Sequence, residues 1–276
     1  MMKLSRRSFL LGGVVILPYL SLERQFLAVR RYRVPIRDLP PSFEGFTILH
    51  LSDLHDKEFG KENERLIGMI AQERFDMVAL TGDLVVGGAP SLLPALQIIA
   101  GIKRSSNVPL YSVPGNHDWM LRRGDEFNRQ LTEAGVTVLS NRSTVLEAGG
   151  QRLFVVGVDD PVTRRDRLDE ALKETDQGAV RLLLCHSPQL LPQASRHGID
   201  LMLSGHTHGG QFRLPILGAC YVPALGIFPR WDYGRFNSGR TTLIVSGGLG
   251  ESCVPIRINI RPEFSVITLV RHQEPS

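Results

Sequence analysis

Five apolar stretches of this chain each stop at residue types that coordinate metal ions. "FTILHLSD" (46–53) ends at Asp53, with His55 two residues on. "DMVALTGD" (76–83) ends at Asp83, and "VPLYSVPGNHD" (108–118) at Asn116, His117 and Asp118. "VRLLLCHSP" (180–188) reaches His186, and "IDLMLSGHTH" (199–208) reaches His206 and His208. Near-continuous runs of Val, Ile and Leu read as strands buried on both faces, the state of a parallel sheet covered by helices. The segments between them supply the helices. In 61–74, Leu66, Ile67 and Ile70 share one helix face, and further helices are expected near 91–104, 166–175 and 188–196. "RLFVVGVDD" (152–160) is another such strand. This alternation specifies an α/β fold. The last two strands, 241–246 and 264–270, have no helix between them and suggest a second, partly antiparallel sheet.

In open α/β sheets the strand ends converge on one edge, and ligands bind there. Each polar block taken singly has an ordinary explanation. An Asp after a strand caps a turn, a lone His186 is satisfied locally, and "GHTH" is a polar turn. Taken together they form one set of carboxylates, an Asn carbonyl and imidazoles, without a thiolate. Such a set suits Mn, Fe, Zn, Co or Ni rather than Ca alone. It exceeds what one ion needs, which implies two divalent metal ions. Ions about 3.5–4 Å apart clamp the attacking and leaving oxygens of a phosphoryl displacement. Gly82, Gly115, Gly205 and Gly209 flank the blocks and allow the backbone to approach closely.

The formal charge of +4 is unevenly placed. Residues 1–37 carry eight basic side chains against Glu23 alone, and the remainder is net acidic. The folded body is therefore not expected to bind nucleic acid, whereas anionic lipid suits the basic arm. That arm begins with Lys3, Arg6 and Arg7, followed by fifteen uncharged residues from Ser8 to Leu22. The apolar run is shorter than the roughly 20 residues of a spanning helix. "SRRSFL" has the order of a twin-arginine export signal. No small-x-small cleavage site is evident near residues 20–28, and the arginines at 24, 30, 31 and 33 oppose translocation. A membrane surface is the expected partner, on the outer face of the cytoplasmic membrane after export or, alternatively, on the inner face. Three scattered cysteines, Cys185, Cys220 and Cys253, exclude a disulfide framework and a cysteine–zinc knuckle. Cys185 reads as a small buried residue. There is no P-loop and no GxGxxG fingerprint.

In their order along the chain, Asp53-x-His55, Gly82-Asp83, Gly115-Asn116-His117-Asp118, His186 and Gly205-His206-x-His208 resemble the calcineurin-like metallophosphoesterase signature. The resemblance covers most of residues 46–270. "GHTHGGQ", "GGLG" (247–250) and "RPEF" (261–264) resemble its membrane-associated bacterial branch with twin-arginine leaders. Relatives in that branch include phosphodiesterases and UDP-2,3-diacylglucosamine hydrolases. The resemblance implies a four-layer α/β/β/α sandwich with the metal site at the C-terminal strand ends. The expected organisation is a twin-arginine-type leader or membrane-anchor segment over 1–33, a linker over 34–45 and a metallophosphoesterase domain over 46–276. Asp53, His55 and His208 would hold one ion, and Asn116, His186 and His206 the other, with Asp83 bridging. A hydroxide between the ions would attack phosphorus in line. His117 would protonate the leaving oxygen, and Asp118 would orient its ring. The implied substrate is a phosphodiester or pyrophosphate, with a lipid-linked nucleotide as candidate. A phosphomonoesterase is the alternative within the class, and a membrane-tethered metal-binding protein without turnover the alternative outside it. The motif positions are all intact, and "GNHD" favours an enzyme.

Between His208 and Thr241 lies a segment rich in Gly, Pro and aromatics with little periodicity. Long segments of this kind in compact domains are functional or disordered, and the apolar content here argues for order. Arg213, Arg230, Arg235 and Arg240 either meet a substrate phosphate or form a solvated face. Trp231 and Tyr233 either stack on a base or anchor the loop. Composition does not fix the oligomeric state.

Overall fold

Period-two burial on both faces of each sheet explains why the strands read as continuous apolar runs. The computed structural model describes residues 23–86, 91–120, 124–251 and 255–272. One six-stranded sheet contains β1 (Ala28–Ile36), β2 (Thr47–Leu51), β3 (Met77–Leu80), β4 (Leu110–Ser112), β5 (Thr137–Val138) and β16 (Glu263–Arg271), in the order β1-β16-β2-β3-β4-β5. The other contains β6 (Arg142–Ala148), β7 (Gln151–Gly157), β8 (Arg181–Leu184), β9 (Leu201–Ser204), β14 (Gly234–Ser238) and β15 (Thr241–Val245), in the order β14-β15-β9-β8-β7-β6. Alternate residues point to different layers. Ile48, Met77, Leu182, Leu201 and Ile244 fill the space between the sheets. Leu49 and Val78 face outward onto Leu66, Ile70, Ile98 and Ile102 of the helices Glu64–Ile70 and Leu93–Ser105. Leu183, Met202 and Leu243 face outward on the opposite side, against Leu168, Leu191 and Ala194. The result is the expected α/β/β/α sandwich.

The expected domain boundaries need correction. Residues 28–36, assigned to leader and linker, form β1, which runs parallel to β16 from Ala28↔Glu263 to Ile36↔Arg271. Its arginines obscured a strand. Arg30 pairs with Glu263 on β16 at 3.1 Å and Arg31 with Glu73 at 2.5 Å, while Val34 and Ile36 are buried between the sheets. Pro35 is tolerated because β1 is an edge strand, where a missing N–H breaks no ladder. The rest of the expected leader, residues 1–22, lies outside the described residues. The two C-terminal strands also differ from expectation, because they part between the sheets. β15 lies between antiparallel β14 and parallel β9, whereas β16 lies between parallel β1 and antiparallel β2. The segment joining them, 246–262, is long enough to cross from one sheet to the other.

The segment 209–240 is ordered. It contains two small hairpins, β10 (Arg213–Leu214) with β11 (Gly218–Ala219) and β12 (Tyr221–Val222) with β13 (Gly226–Ile227), followed by β14. Cys185 is fully buried, Cys220 is half-buried, and Cys253 lies outside the described residues. Among the described residues, no helix is long and apolar enough to cross a membrane.

Candidate metal centre

Parallel pairing of β2 with β3 and of β8 with β9 brings the polar blocks to one edge of the sandwich. There the chain makes sharp reversals. Asp53, His55, Asp83, His206 and His208 all have positive φ, between 49° and 71°. Non-glycine residues rarely adopt this region, at a cost of order 1 kcal/mol or more each, and such conformations concentrate at functional sites. The backbone at Gly205 must also pass against Ser52 and Asp53. A methyl group there would overlap Ser52 Oγ and Asp53 Oδ2.

Three groups of donor atoms result, the third, His55, Asp83 and His117, linking the other two. Asp53, His55 and His208 offer atoms all within 4.8 Å of one another, as do Asp83, His186 and His206. Asp83 faces both groups: its Oδ2 is 3.1 Å from His186 Nε2 and 3.7 Å from His55 Nε2. Asn116 joins the second group, with Oδ1 at 3.0 Å from His206 Nδ1. Several ligand atoms are aimed by a second partner. His186 donates Nδ1–H to Thr81 O at 2.7 Å, and His208 donates Nδ1–H to Gly250 O at 3.1 Å. Each bond turns Nε2 toward the cluster, the arrangement found behind metal-ligating imidazoles. The His206 N–H fixes Asp53 by donating to both carboxylate oxygens at 2.9 and 3.1 Å.

The electrostatics call for a cation. Burial pushes the His55 imidazole down to about 4 and that of His206 to about 3, and it holds His208 well below the ordinary value. Burial also lifts the Asp53 carboxyl to about 6, against the pull of His186 and with help from the Asp83 charge. Burial alone would raise Asp83 too, but His186 outweighs it and keeps this carboxyl below the usual range. His186 is raised in turn, since the Asp83 charge overcomes the cost of burying it. His55, His206 and His208 stay neutral beside the buried carboxylates, and a divalent ion supplies the positive charge they do not. His55 Nε2 and His208 Nε2 face each other at 3.1 Å, and His206 Nε2 and His55 Nδ1 have no hydrogen-bond partner. The donor set therefore fits a divalent metal.

His117 is half-buried, with its ring edge-on to His55 at 5.0 Å between centroids and its backbone N–H on Asp83 Oδ1 at 2.8 Å. Asp118 does not orient that ring, contrary to expectation. Its carboxylate accepts backbone N–H groups from Asp83 at 2.8 Å, Leu84 at 3.1 Å and Gly115 at 2.8 Å. It lies in the first turn of the short helix Asn116–Met120, so its side chain turns back onto these free donors. Asp118 thus ties the loop carrying Asp83 to the loop carrying Asn116. Burial and the neighbouring Asp83 charge push it up to about 7, against the backbone donors.

Asp83, Asn116, His117, His206 and His208 form the floor of a cavity of about 640 Å³. Its wall comes from the long segment and from residue 256: Phe212, Cys220, Tyr221, Pro223 and Ile256. None of the four loop arginines lines it. Arg213 pairs with Asp232 at 2.8 Å, Arg240 pairs with Asp200 just before β9, Arg235 donates to Arg33 O at 3.3 Å, and Arg230 lies over Trp231. Tyr233 donates to Glu263 at 2.7 Å, and Trp231 packs on the outer core, so both are anchors. Sequence reasoning missed the apolar wall and Arg257. This fully buried guanidinium donates to the carbonyls of Gly247, Gly248 and Gly250, the last of which also receives His208. "VPIRINI" gives no sign that its arginine points inward.

The sequence profile of the family described as Calcineurin-like phosphoesterase matches residues 46–210. The uncharacterized protein YpbG of Bacillus subtilis (strain 168) is 32% identical, covering 81% of this chain and 80% of its own. The uncharacterized metallophosphoesterase YkuE of the same organism is 28% identical, covering 98% of this chain and 99% of its own. Phosphodiesterase YaeI of Escherichia coli (strain K12) is 30% identical, covering 82% of each chain.

Proposed function

The chain belongs to the calcineurin-like phosphoesterase family, and from that premise we propose that it hydrolyses phosphodiester or pyrophosphate bonds with two divalent ions. Asp53, His55 and His208 hold one ion, Asn116, His186 and His206 the other, and Asp83 serves both. The observation that carries this reading is Asp83 standing between the two donor groups, with Oδ2 near His55 of one and His186 of the other. When bound, such ions supply Lewis acidity toward a phosphoryl oxygen and a nucleophilic water near neutral pH. The chain's own residues do the remaining work. His117 stands over the floor and gives a proton to the departing ester oxygen. Asp118 keeps the two ligand loops in register, and the Phe212, Tyr221 and Ile256 wall excludes water from one side.

The wall also favours a diester over a monoester. A monoester presents a dianion, and no Lys or Arg among the described residues lines the cavity to receive the additional charge. A diester carries one charge and a second organic group that suits an apolar wall. A lipid-linked nucleotide carries one charge on each phosphate and supplies the second organic group. The basic and apolar N-terminal segment, read as a twin-arginine leader, would bring the enzyme to the membrane where such a substrate resides. Mass determination of the native N-terminus together with cell fractionation tests that part. The hydrolytic reading is tested with metal-free protein given Mn²⁺ or Zn²⁺ and offered bis-p-nitrophenyl phosphate or p-nitrophenyl phosphate. Metal-dependent turnover of the diester is expected. Faster turnover of the monoester would establish a phosphomonoesterase, and two bound metals without turnover of either ester would return the chain to a binding role.

A further inference from the structure

Large apolar side chains exposed among the described residues are concentrated in one place. Residues 212–228 contribute Phe212, Leu214, Ile216, Leu217, Tyr221, Ile227 and Phe228, and the adjoining strip adds Ile256. Single exposed apolar residues need no explanation, but a contiguous set marks a binding surface. Ile216 is fully exposed at the turn of the β10–β11 hairpin, and Ile227 and Leu217 are 74% and 64% exposed. Folding does not account for Ile216. It is β-branched with φ at 70°, where Gly or Asn is the ordinary choice, and its side chain buries nothing in return.

The chemistry of the patch selects its occupant. The sequence from 212 to 228 holds one charged residue, Arg213, which is already paired with Asp232. An acidic or basic protein partner would find no complementary charge there. The patch is also joined to the start of the described chain. Ile258 bridges Phe212, Asn259 donates to Arg213 O at 3.0 Å, and the Asn259 N–H donates to Glu23 at 3.3 Å. The segment that precedes Glu23 in sequence is the one with Lys3, Arg6, Arg7 and the uncharged run Ser8–Leu22. Phe26, half exposed, follows directly. The described chain therefore begins beside the uncharged hairpin pair, and the sequence that precedes this point is apolar and basic.

We infer that the two hairpins dock on a lipid bilayer, with Ile216, Leu217, Ile227 and Phe228 entering the interfacial layer. The cavity mouth beside Phe212 and Tyr221 then faces the membrane. This surface binds lipid whether or not hydrolysis occurs. Its test uses the full chain with vesicles of phosphatidylethanolamine and phosphatidylglycerol brominated along the acyl chains. Ile216→Trp is compared with Val145→Trp, which places the probe on β6 at the opposite edge of the sheet from β14, each corrected for the native tryptophans. Quenching at position 216 well above that at 145 is expected, and equal quenching overturns the inference. A second variant, Ile216→Ser with Ile227→Ser, should weaken vesicle affinity by about tenfold while bis-p-nitrophenyl phosphate turnover in detergent-free buffer stays the same. Unchanged affinity overturns the docking. A dimer in gel filtration that becomes monomeric in this variant also overturns it, by naming a second copy of the chain as the occupant.

Discussion

The floor and the wall of the cavity are built on opposite terms. The polar groups of the floor and the centre behind it are buried, half-buried His117 apart, and several are fixed by backbone: Thr81 O behind His186, Gly250 O behind His208, and the His206 N–H against Asp53. The wall consists of partly exposed side chains on and beside two-residue strands. Strained backbone and buried charge in the floor lower its stability, and the surrounding sheets must over-determine it for the geometry to persist. A wall with few packing partners can change without unfolding the sheets. Reaction chemistry is therefore placed on the rigid element, and recognition on the one that tolerates substitution.

The comparison is broken most severely at Asp83, the residue both donor groups use. Loss of a partner behind a ligand costs about 10–100-fold in metal affinity or activity. Asp83→Ala removes a shared ligand and should lower metal-dependent turnover by more than about 100-fold, with metal content measured by elemental analysis falling as well. Full activity in this variant would remove the proposed centre. Arg257→Lys probes the layer behind the floor. A lysine cannot reproduce the fork that spans the carbonyls of Gly247, Gly248 and Gly250, so the acceptor of His208 shifts. Mn²⁺ affinity should fall by about tenfold or more, read by titration with the melting temperature followed in parallel. A lowered melting temperature with unchanged Mn²⁺ affinity would make Arg257 a packing residue only. Gly205→Ala is next. Its added methyl meets Ser52 and Asp53, and overpacking of this kind costs about 1–3 kcal/mol. Denaturant unfolding of the metal-free protein should show this loss, whereas Gly68→Ala, in the helix Glu64–Ile70 with nothing close to the added carbon, should lose nothing.

How far the sequence revealed these two regions follows from the same contrast. β2, β3, β8 and β9 were legible because both faces are buried, which leaves an unbroken apolar run. The residues that follow them stood out because Asp and His have no reason to end five such runs. Strands β1, β6 and β14 were not legible. They are edge strands whose exposed positions carry Arg30, Glu147 or Arg235, and the alternation reads as a polar linker. The loop arginines misled for a related reason. Their partners, Asp232 for Arg213 and Asp200 for Arg240, are supplied by tertiary structure and leave no local signal. Asp118 was correctly placed in the site but wrongly paired, because spacing cannot show which of several backbone donors a carboxylate will reach.

The wall allows the finest test, because altering it should change recognition and leave the chemistry alone. Phe212 is half exposed and lines the cavity beside the floor. A phenyl ring that buries part of its surface against a substrate's organic group is worth about 1 kcal/mol, given 25 cal/mol for each Å² removed from water. Phe212→Ser should therefore raise KM for bis-p-nitrophenyl phosphate about fivefold and leave kcat within a factor of about two. Phe212→Leu, which keeps an apolar surface, should recover most of the loss. The split between the two constants is the informative part. If kcat fell and KM did not, the ring would be acting on the transition state, and the division between a reactive floor and a recognising wall would fail at its closest point of contact.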